Sequence, residues 1–505
     1  MKKYIYLFCL VLGLYSCKDF LEEKTQDEMI PKTTDSFHEI LWAEGYPGKY
    51  ALENMVFLMD DDIANQAPKN MKYSDSDIND KMYFTWQPNS LDVLKNQGIS
   101  SLYVAYDNYY ERIMGCNVVL TYVDGSDGSE EDRVNLKGEA LVLRAWYYFQ
   151  LVNLYALPYN AAVGTPETNS GVVLMLSPEI SGKRYSRSSV GEVYKQITED
   201  LEEGIALLEQ EKRDNSYFRL NNLSAHLIAS RVYLYMENWD KVLAHANAVK
   251  EVKQMEDFSG YTDETYEETK LFREYSDEII WRFGISSQWL PIYSGYVSTS
   301  DGYRFSPELY DLYQKQPNEE DKRLTFFFHQ EENYLGRIET TFVKYAGMYD
   351  DKYTYEVGLR VTEAYMNAIE ALLGKYKNGD TEAGAEGLKQ LNEFRAKRIV
   401  SASGGVLESV PIQDADKLIE IYRTERRKEF CFEGQRWFDL RRWGMPRLEH
   451  RWYVSENAYE LWVLEENDPM YVLDIPQDAL DRNTSLAPND GAFLPERQAT
   501  ETISE

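Results

Sequence analysis

Between Ala225 and Val249 the chain carries two apolar stripes at helical spacing, separated by only two polar residues. Ala225, Ala229, Val232, Tyr233 and Met236 form the first; Trp239, Val242, Leu243, Ala246 and Val249 form the second; Glu237-Asn238 lies between them. A connection that short forces two helices to fold back antiparallel. Small residues on one face then allow the close approach that the aromatics of the other fill. A single helical hairpin cannot bury both its faces, so this pattern demands further helices stacked on either side.

The hairpin resembles a tetratricopeptide repeat, and a second pair of the same kind reads from Val361, Ala364, Tyr365, Ala368 and Leu372, through a Gly379-Asp380 turn, to Leu388, Leu391 and Arg395. Other helical patterns begin near Asp35-Ser36 and run to Tyr46, cover Tyr103 to Tyr122, and place Ala145, Tyr148, Phe149, Val152 and Tyr155 on one face before Pro158 ends the helix. Val193, Ile197, Leu201, Ile205 and Leu208 give one more, and Asp414 to Phe432 the last. Between about 255 and 355 the helical period is lost. Tyr, Gly and Ser dominate there, with short β-like runs at Ile279-Ile280-Trp281 and Thr341-Phe342-Val343. The expected fold class is therefore mainly α: helix pairs as scaffold, with an irregular, loop-rich region and a few short strands set for ligand binding.

The first residues set the address. Lys2 and Lys3 precede an apolar run from Tyr4 to Tyr15 that is too short to span a bilayer and has the form of a secretory signal. Leu14-Tyr15-Ser16-Cys17 resembles a bacterial lipobox, with Tyr15 bulkier than the usual pattern; the alternative is an ordinary signal cleaved beside a chance cysteine. Acylated Cys17 would hold the chain on outer-membrane lipid, since each buried methylene adds about 0.8 kcal/mol of membrane affinity. The divisions expected are 1–16 signal peptide, 17–35 lipidated tether, 36–255 N-terminal helical part, 256–355 irregular aromatic region, 356–490 C-terminal helical part and 491–505 polar tail, the chain after about Ala487 being too polar to pack.

Charge excludes several partners. Against 54 Lys+Arg stand 85 Asp+Glu, a formal −31, so no general basic surface exists to neutralise nucleic acid or an anionic lipid face. Cys9 leaves with the signal and Cys17 is acylated, so only Cys116 and Cys431 remain in the folded part; both free thiols and a single bridge stay open. No CxxC, HExxH or Cys/His cluster supports a zinc or iron site, and no cofactor is expected. Two acidic clusters, Asp60-Asp61-Asp62 and Asp75-Ser-Asp77-Ile-Asn79-Asp80, raise calcium. The second lacks the Gly and Glu of an EF-hand, having Asp80 and Trp86 there, so a solvated acidic loop is the expectation and a non-EF calcium site the alternative.

The segment from Tyr422-Arg-Thr-Glu-Arg-Arg-Lys-Glu-Phe430 through Glu433-Gly-Gln-Arg-Trp-Phe-Asp-Leu-Arg-Arg-Trp443 resembles the signature of the SusD/RagB family of outer-membrane lipoproteins. Arg144-Ala-Trp-Tyr-Tyr-Phe149 through Tyr159 resembles that family's first long helix, with Tyr110, Ile113 and Asn117 fitting the helix before it. Leu359 to Glu370 and Asp474-Ile-Pro-Gln-Asp478 through Asn483 match its later segments, and Cys17-Lys-Asp-Phe-Leu its mature start. The resemblance implies a surface-exposed binding lipoprotein that captures oligo- or polysaccharide. It implies delivery to a SusC-like TonB-dependent transporter, an address on the outer face of the outer membrane, and no catalysis. Peptide capture, as in the RagB-like branch, is the alternative; a cell-surface glycoside hydrolase is a third reading.

The hydrolase reading would draw on Glu429, Glu433 and Asp439. Arg426, Arg427, Arg436, Arg441 and Arg442 crowd them, and arginines hold carboxylates ionised where glycosidic cleavage needs one protonated acid. For a glycan the informative residues are aromatics outside the helical stripes: Tyr83 and Trp86 in Met82-Tyr-Phe-Thr-Trp86, and Trp289, Tyr293, Tyr296 and Tyr303 in the Gly/Ser-rich stretch. Flat rings stack on the C–H face of a pyranose. These six are the expected ligand contacts, Trp86 and Trp289 foremost.

Overall fold

The computed structural model describes residues 31–47, 55–67, 71–99, 105–179, 182–212, 217–262, 276–283, 302–314, 318–332, 338–342, 344 and 357–504. Cys17 and the signal, and Trp289, Tyr293 and Tyr296, lie outside them.

Helix α1 (Thr34–Ile40) starts where the Thr33 hydroxyl accepts from the Ser36 amide, and it runs on into a π-turn over Leu41–Gly45. Two short helices follow, α2 (Asp75–Phe84) and α3 (Ser90–Asn96), then the long pair α4 (Ala105–Tyr122) and α5 (Glu130–Tyr155). Ser129 caps α5, with Glu130, Glu131 and Asp132 in its positive first turn. Every residue of α5 from Gly138 to Tyr155 is buried. The single apolar face read from Ala145 to Tyr155 is thus part of a helix enclosed on all sides, the axis around which the others pack.

α6 (Val190–Gln210) opens with a Ser189/Glu192 capping box and lies along α5. The two backbones nearly touch: a Cβ on Gly204 would stand 2.8 Å from Val142 Cγ2 and 3.1 Å from the Gly138 carbonyl oxygen. The hairpin α7 (Asn222–Tyr235) and α8 (Trp239–Lys250) turns at Glu237, with φ +55°, and the Asn238 side chain caps α8. α9 (Val361–Lys377) packs on α8 although more than a hundred residues separate them, α10 (Thr381–Ala396) packs on α9, and α11 (Ala415–Phe430) covers both. The two sequence-legible hairpins therefore stack side by side. α12 (Arg436–Arg442) follows, and a short helix over Gln477–Arg482 comes last.

The strands are short and paired antiparallel. β1 (Ile63–Asn65) pairs with β3 (Tyr303–Phe305), and β2 (Ile279–Phe283) with β7 (Val357–Arg360), so the chain leaves for residues 284–356 and returns at one clasp. β4 (Glu319–Asp321) pairs with β8 (Ile399–Ser401), and β5 (Phe328–Glu332) with β6 (Ile338–Phe342). β9 (Leu448–Ser455), β10 (Ala458–Leu464) and β11 (Glu501–Ser504) make a three-stranded sheet in the order β11-β10-β9.

Three expectations are corrected. The polar tail packs: β11 pairs with β10, and Arg497 is salt-bridged to Asp468 at 2.9 Å, backbone pairing supplying what its side chains lack. The acidic run from Asp75 is not a loop but the first turn of α2, where Ser74 and Asp77 form a capping box. Asp61 and Asp62 are not a free acidic cluster, since Arg427 donates to Asp62 at 2.7 Å and Arg436 to Asp61 at 2.6 Å. Of the alternatives for the two thiols, Cys116 and Cys431 are both free and buried. Among the described residues no helix is long and apolar enough to cross a membrane.

Candidate functional site

α2 is amphipathic in the opposite sense to that expected of a ligand-binding loop: its aromatic end points inward. Trp86, at φ +52°, is wholly buried, and its indole N–H donates to the Met59 carbonyl at 2.9 Å. Its ring stacks on His450 at 4.2 Å, and Phe84 stacks on that imidazole at 4.1 Å. His450 Nδ1 lies 2.7 Å from the Phe84 carbonyl oxygen and Nε2 2.9 Å from that of Asp60, while burial pushes the imidazole pKa down to about 4. Tyr83 is buried, and Tyr303 is 1% exposed with its hydroxyl donating to the Asp77 carbonyl. Burying these rings stabilises the fold and leaves no face of Trp86 or Tyr303 for a sugar at the surface. The three of the six expected residues that are described thus separate: Tyr83 and Trp86 line a cavity of about 50 Å³ together with Met59, Asp92, Tyr155 and Asp474, and Tyr303 stands elsewhere in the core. In that cavity burial pushes the Asp474 carboxyl up to about 6 against the Asn89 amide that it accepts from. Ligand pockets run to about 300–1,000 Å³, so this space is too small for a sugar ring.

The other side of α2 faces a half-open groove of about 520 Å³. Ile78, Lys81 and Met82 of α2 line it with Thr85 just beyond that helix, together with the Gln87-Pro88-Asn89 turn, Val93 of α3 and Gln97 after it, and a wall of Trp462, Leu494 and Glu496. The tail holds that wall in place: the Gln87 side-chain carbonyl accepts from the Arg497 amide at 2.9 Å, and Asn89 donates to the Ala492 carbonyl. Lys81 bonds to Glu460 at 2.9 Å and stands over the rings of Trp452 and Trp462, at 4.9 and 5.4 Å. Ile78 is half exposed. The groove thus offers apolar surface for sugar faces and amides and hydroxyls for sugar hydroxyls. Gly302 packs on Tyr73 and Asp77.

The sequence pattern missed this wall, although a neighbouring signal existed: Leu448-Glu-His-Arg-Trp452, on the strand that pairs with β10, sets charged residues at every second position, as a half-buried strand does.

The charged signature is a buried ion network. Glu429 accepts from Arg360 at 2.9 Å, Arg398 at 3.0 Å and Arg323 at 3.2 Å, none of them in the signature itself. Burial opposes its ionisation, yet Arg398, Arg360 and Arg323 hold the carboxyl well below the usual range. Glu433 is paired with Arg360 and with Lys344 at 2.6 Å, and Asp439 lies between Arg426 and Arg442. Arg442 grips Glu370, which stays ionised down to about 2 despite its burial. Arg441 spends its guanidinium on the carbonyls of Asn153 and Ala156, tying α12 to the end of α5. Glu429, Glu433 and Glu370, all held below the usual carboxylate range by their arginines, are not poised to give a proton near neutrality, as an acid catalyst of glycoside cleavage must.

Comparison with known proteins agrees with this architecture. A family model described as starch-binding and associating with the outer membrane matches residues 19–234, and the SusD family model matches 329–491. No protein of curated function matches the sequence. Among solved structures, a SusD superfamily protein from Bacteroides thetaiotaomicron is 22% identical, covering 90% of this chain and 99% of its own, with a TM-score of 0.69. A putative sugar binding protein from Bacteroides vulgatus is 21% identical over 92% of this chain and 100% of its own, at 0.68. A laminarin binding SusD-like protein is 19% identical over 91% of this chain and 100% of its own, at 0.60. At these identities the likeness is one of fold. With two family models lying in order along most of its length, the chain belongs to the SusD family.

Proposed function

We propose that this protein is a lipid-anchored binding protein of the outer-membrane surface that captures an oligo- or polysaccharide and passes it, uncleaved, to a SusC-like TonB-dependent transporter. The observation that carries the reading is the groove beside α2: large enough for sugar rings, apolar on its walls and lined by neutral hydrogen-bonding groups. The lipobox-like Leu14 to Cys17 supports the anchor, and the family's description as starch-binding and outer-membrane-associated supports ligand class and address. A solved relative of the same fold is named for laminarin binding. Trp289, Tyr293 and Tyr296 are in this reading further glycan contacts. Tyr83, Trp86 and Tyr303 then serve from behind, as the packed support of α2.

Calorimetric titration of the purified protein with soluble polysaccharides, their oligosaccharides and a peptide digest tests this. Saturable glycan binding that is lost in Trp289→Ala and Ile78→Asp supports it. Binding of peptides alone would move the chain to peptide capture.

A further inference from the structure

We infer that His226 and His245 form a binding site for a divalent transition-metal ion that takes its ligands at right angles, copper(II) or nickel(II). The two residues stand on facing helices, α7 and α8, 19 positions apart, where no short motif links them. Their Nδ1 atoms are 2.9 Å apart. Two nitrogens each about 2.0–2.1 Å from one ion, with about 90° between them, are separated by about 2.9 Å, whereas tetrahedral zinc spreads them to about 3.4 Å. On the nitrogen of each ring away from that contact, α6 supplies a carboxylate: Glu209 lies 3.4 Å from His226 Nε2, and Glu202 lies 3.6 Å from His245 Nε2. A carboxylate on the outer nitrogen fixes an imidazole's tautomer and orientation so that the inner nitrogen serves as a ligand.

An ion suits this pair better than the direct contact does. Two neutral imidazoles carry two protons for four nitrogens. In the direct contact one Nδ1–H donates to the other Nδ1, the accepting ring turns its Nε2–H to its glutamate, and the donating ring is left with a bare Nε2. His245 is that ring: its Nε2 is buried with no hydrogen-bond partner, in a residue 6% exposed, and it faces the Glu202 carboxylate. An ion between the Nδ1 atoms takes both lone pairs. The Nδ1 proton of His245 then moves to Nε2, where Glu202 accepts it, so the pair neither gains nor loses a proton. Burial pushes both imidazoles below their ordinary value, His245 to about 4, and near neutrality neither ring carries the charge that would repel an ion. Lys241 and Tyr233 donate to Glu202, and Lys212 and Asn222 to Glu209, which holds both carboxylates behind the rings. Among the described residues no three His, Cys, Asp or Glu side chains form a closed ligand set, so water fills the other positions and the ion exchanges. His226, with 14% of its side chain exposed, is the outer ligand.

The test titrates the purified full-length protein, free of any affinity tag, with copper(II), nickel(II) and zinc chlorides by calorimetry. One ion per chain is expected, with copper bound tighter than nickel and nickel tighter than zinc. The paramagnetic resonance spectrum of the copper form should be split by two imidazole nitrogens. His226→Gln and His245→Gln should each weaken nickel binding at least about tenfold, and Glu202→Gln, which leaves both ligands in place, about ten- to a hundredfold. Melting curves without metal accompany each variant; His226→Gln, at the outer edge of the site, should melt near the parent and decides the matter if the buried His245→Gln does not fold. Absence of saturable binding would overturn the inference. So would zinc bound tighter than copper and nickel, or nickel binding unchanged in His226→Gln, which would put the ion elsewhere on the chain.

Discussion

Arg144 and Asp200 meet as a two-pronged ion pair, with Nε to Oδ2 at 2.8 Å and Nη2 to Oδ1 at 2.7 Å, joining α5 to α6 out of reach of water. The third prong of the guanidinium donates to Asn117 Oδ1 at 2.9 Å, so one side chain ties α4, α5 and α6 together. Arg144→Leu alone leaves Asp200 buried and unpaired and is expected to cost about 3–5 kcal/mol in urea unfolding. Arg144→Leu with Asp200→Leu is expected to recover most of that loss. Equal losses in the single and double variants would show that the pair is not the source of the stability.

Packing of α5 on α6 predicts the sign of a substitution that helix propensity alone would get wrong. Ala in place of Gly204 gains about 1 kcal/mol of propensity. Its methyl, however, would lie 2.8 Å from Val142 Cγ2 and 3.1 Å from the Gly138 carbonyl, and forcing the helices apart costs about 1–3 kcal/mol. Thermal melting should therefore show Gly204→Ala less stable than the parent.

Trp86 and Ile78 lie on opposite sides of one helix end and should fail differently. Trp86→Ala removes a buried ring and its bond to Met59, and a loss of about 3–5 kcal/mol in stability is expected. Ile78→Asp changes a half-exposed residue on the groove wall, so its melting temperature should stay near the parent's while glycan affinity falls at least about tenfold. Calorimetry and melting curves on both variants separate the roles.

Two buried imidazoles predict acid sensitivity. Burial pushes His450 down to about 4, and burial with the neighbouring His226 does the same to His245, against about 6.5 in the unfolded chain. Between those values the unfolded chain binds more protons, so stability falls as pH drops from about 6.5 towards 4. Urea midpoints measured across that window should decline. In His450→Gln, which keeps polar contacts but cannot titrate, the decline should be shallower; an unchanged slope would remove His450 as its cause.

The helical hairpins were legible because both of their determinants are local. Ala225 to Val249 and Val361 to Arg395 carry their own periodicity and turns, and the structure places them as neighbours. The crowding of Glu429, Glu433 and Asp439 by arginines could be read from the signature, but not their partners: Glu429 is held by Arg323, Arg360 and Arg398, which only the tertiary fold brings to it. Trp86 shows the limit most clearly. An aromatic outside a helical stripe reads as exposed, yet its burial depends on His450, far along the chain on β9. The tail failed in the same way, since the bonds that hold β11 come from backbone groups, to which side-chain polarity is blind.

The clasp between β2 and β7 has an evolutionary consequence. The chain departs at Phe283 and returns at Val357, paired partners in one ladder, and in between it is pinned to the scaffold by β3 on β1, by β4 on β8 and by Arg323 on Glu429. Change can therefore accumulate only between those pins, while the helices that carry them stay in register.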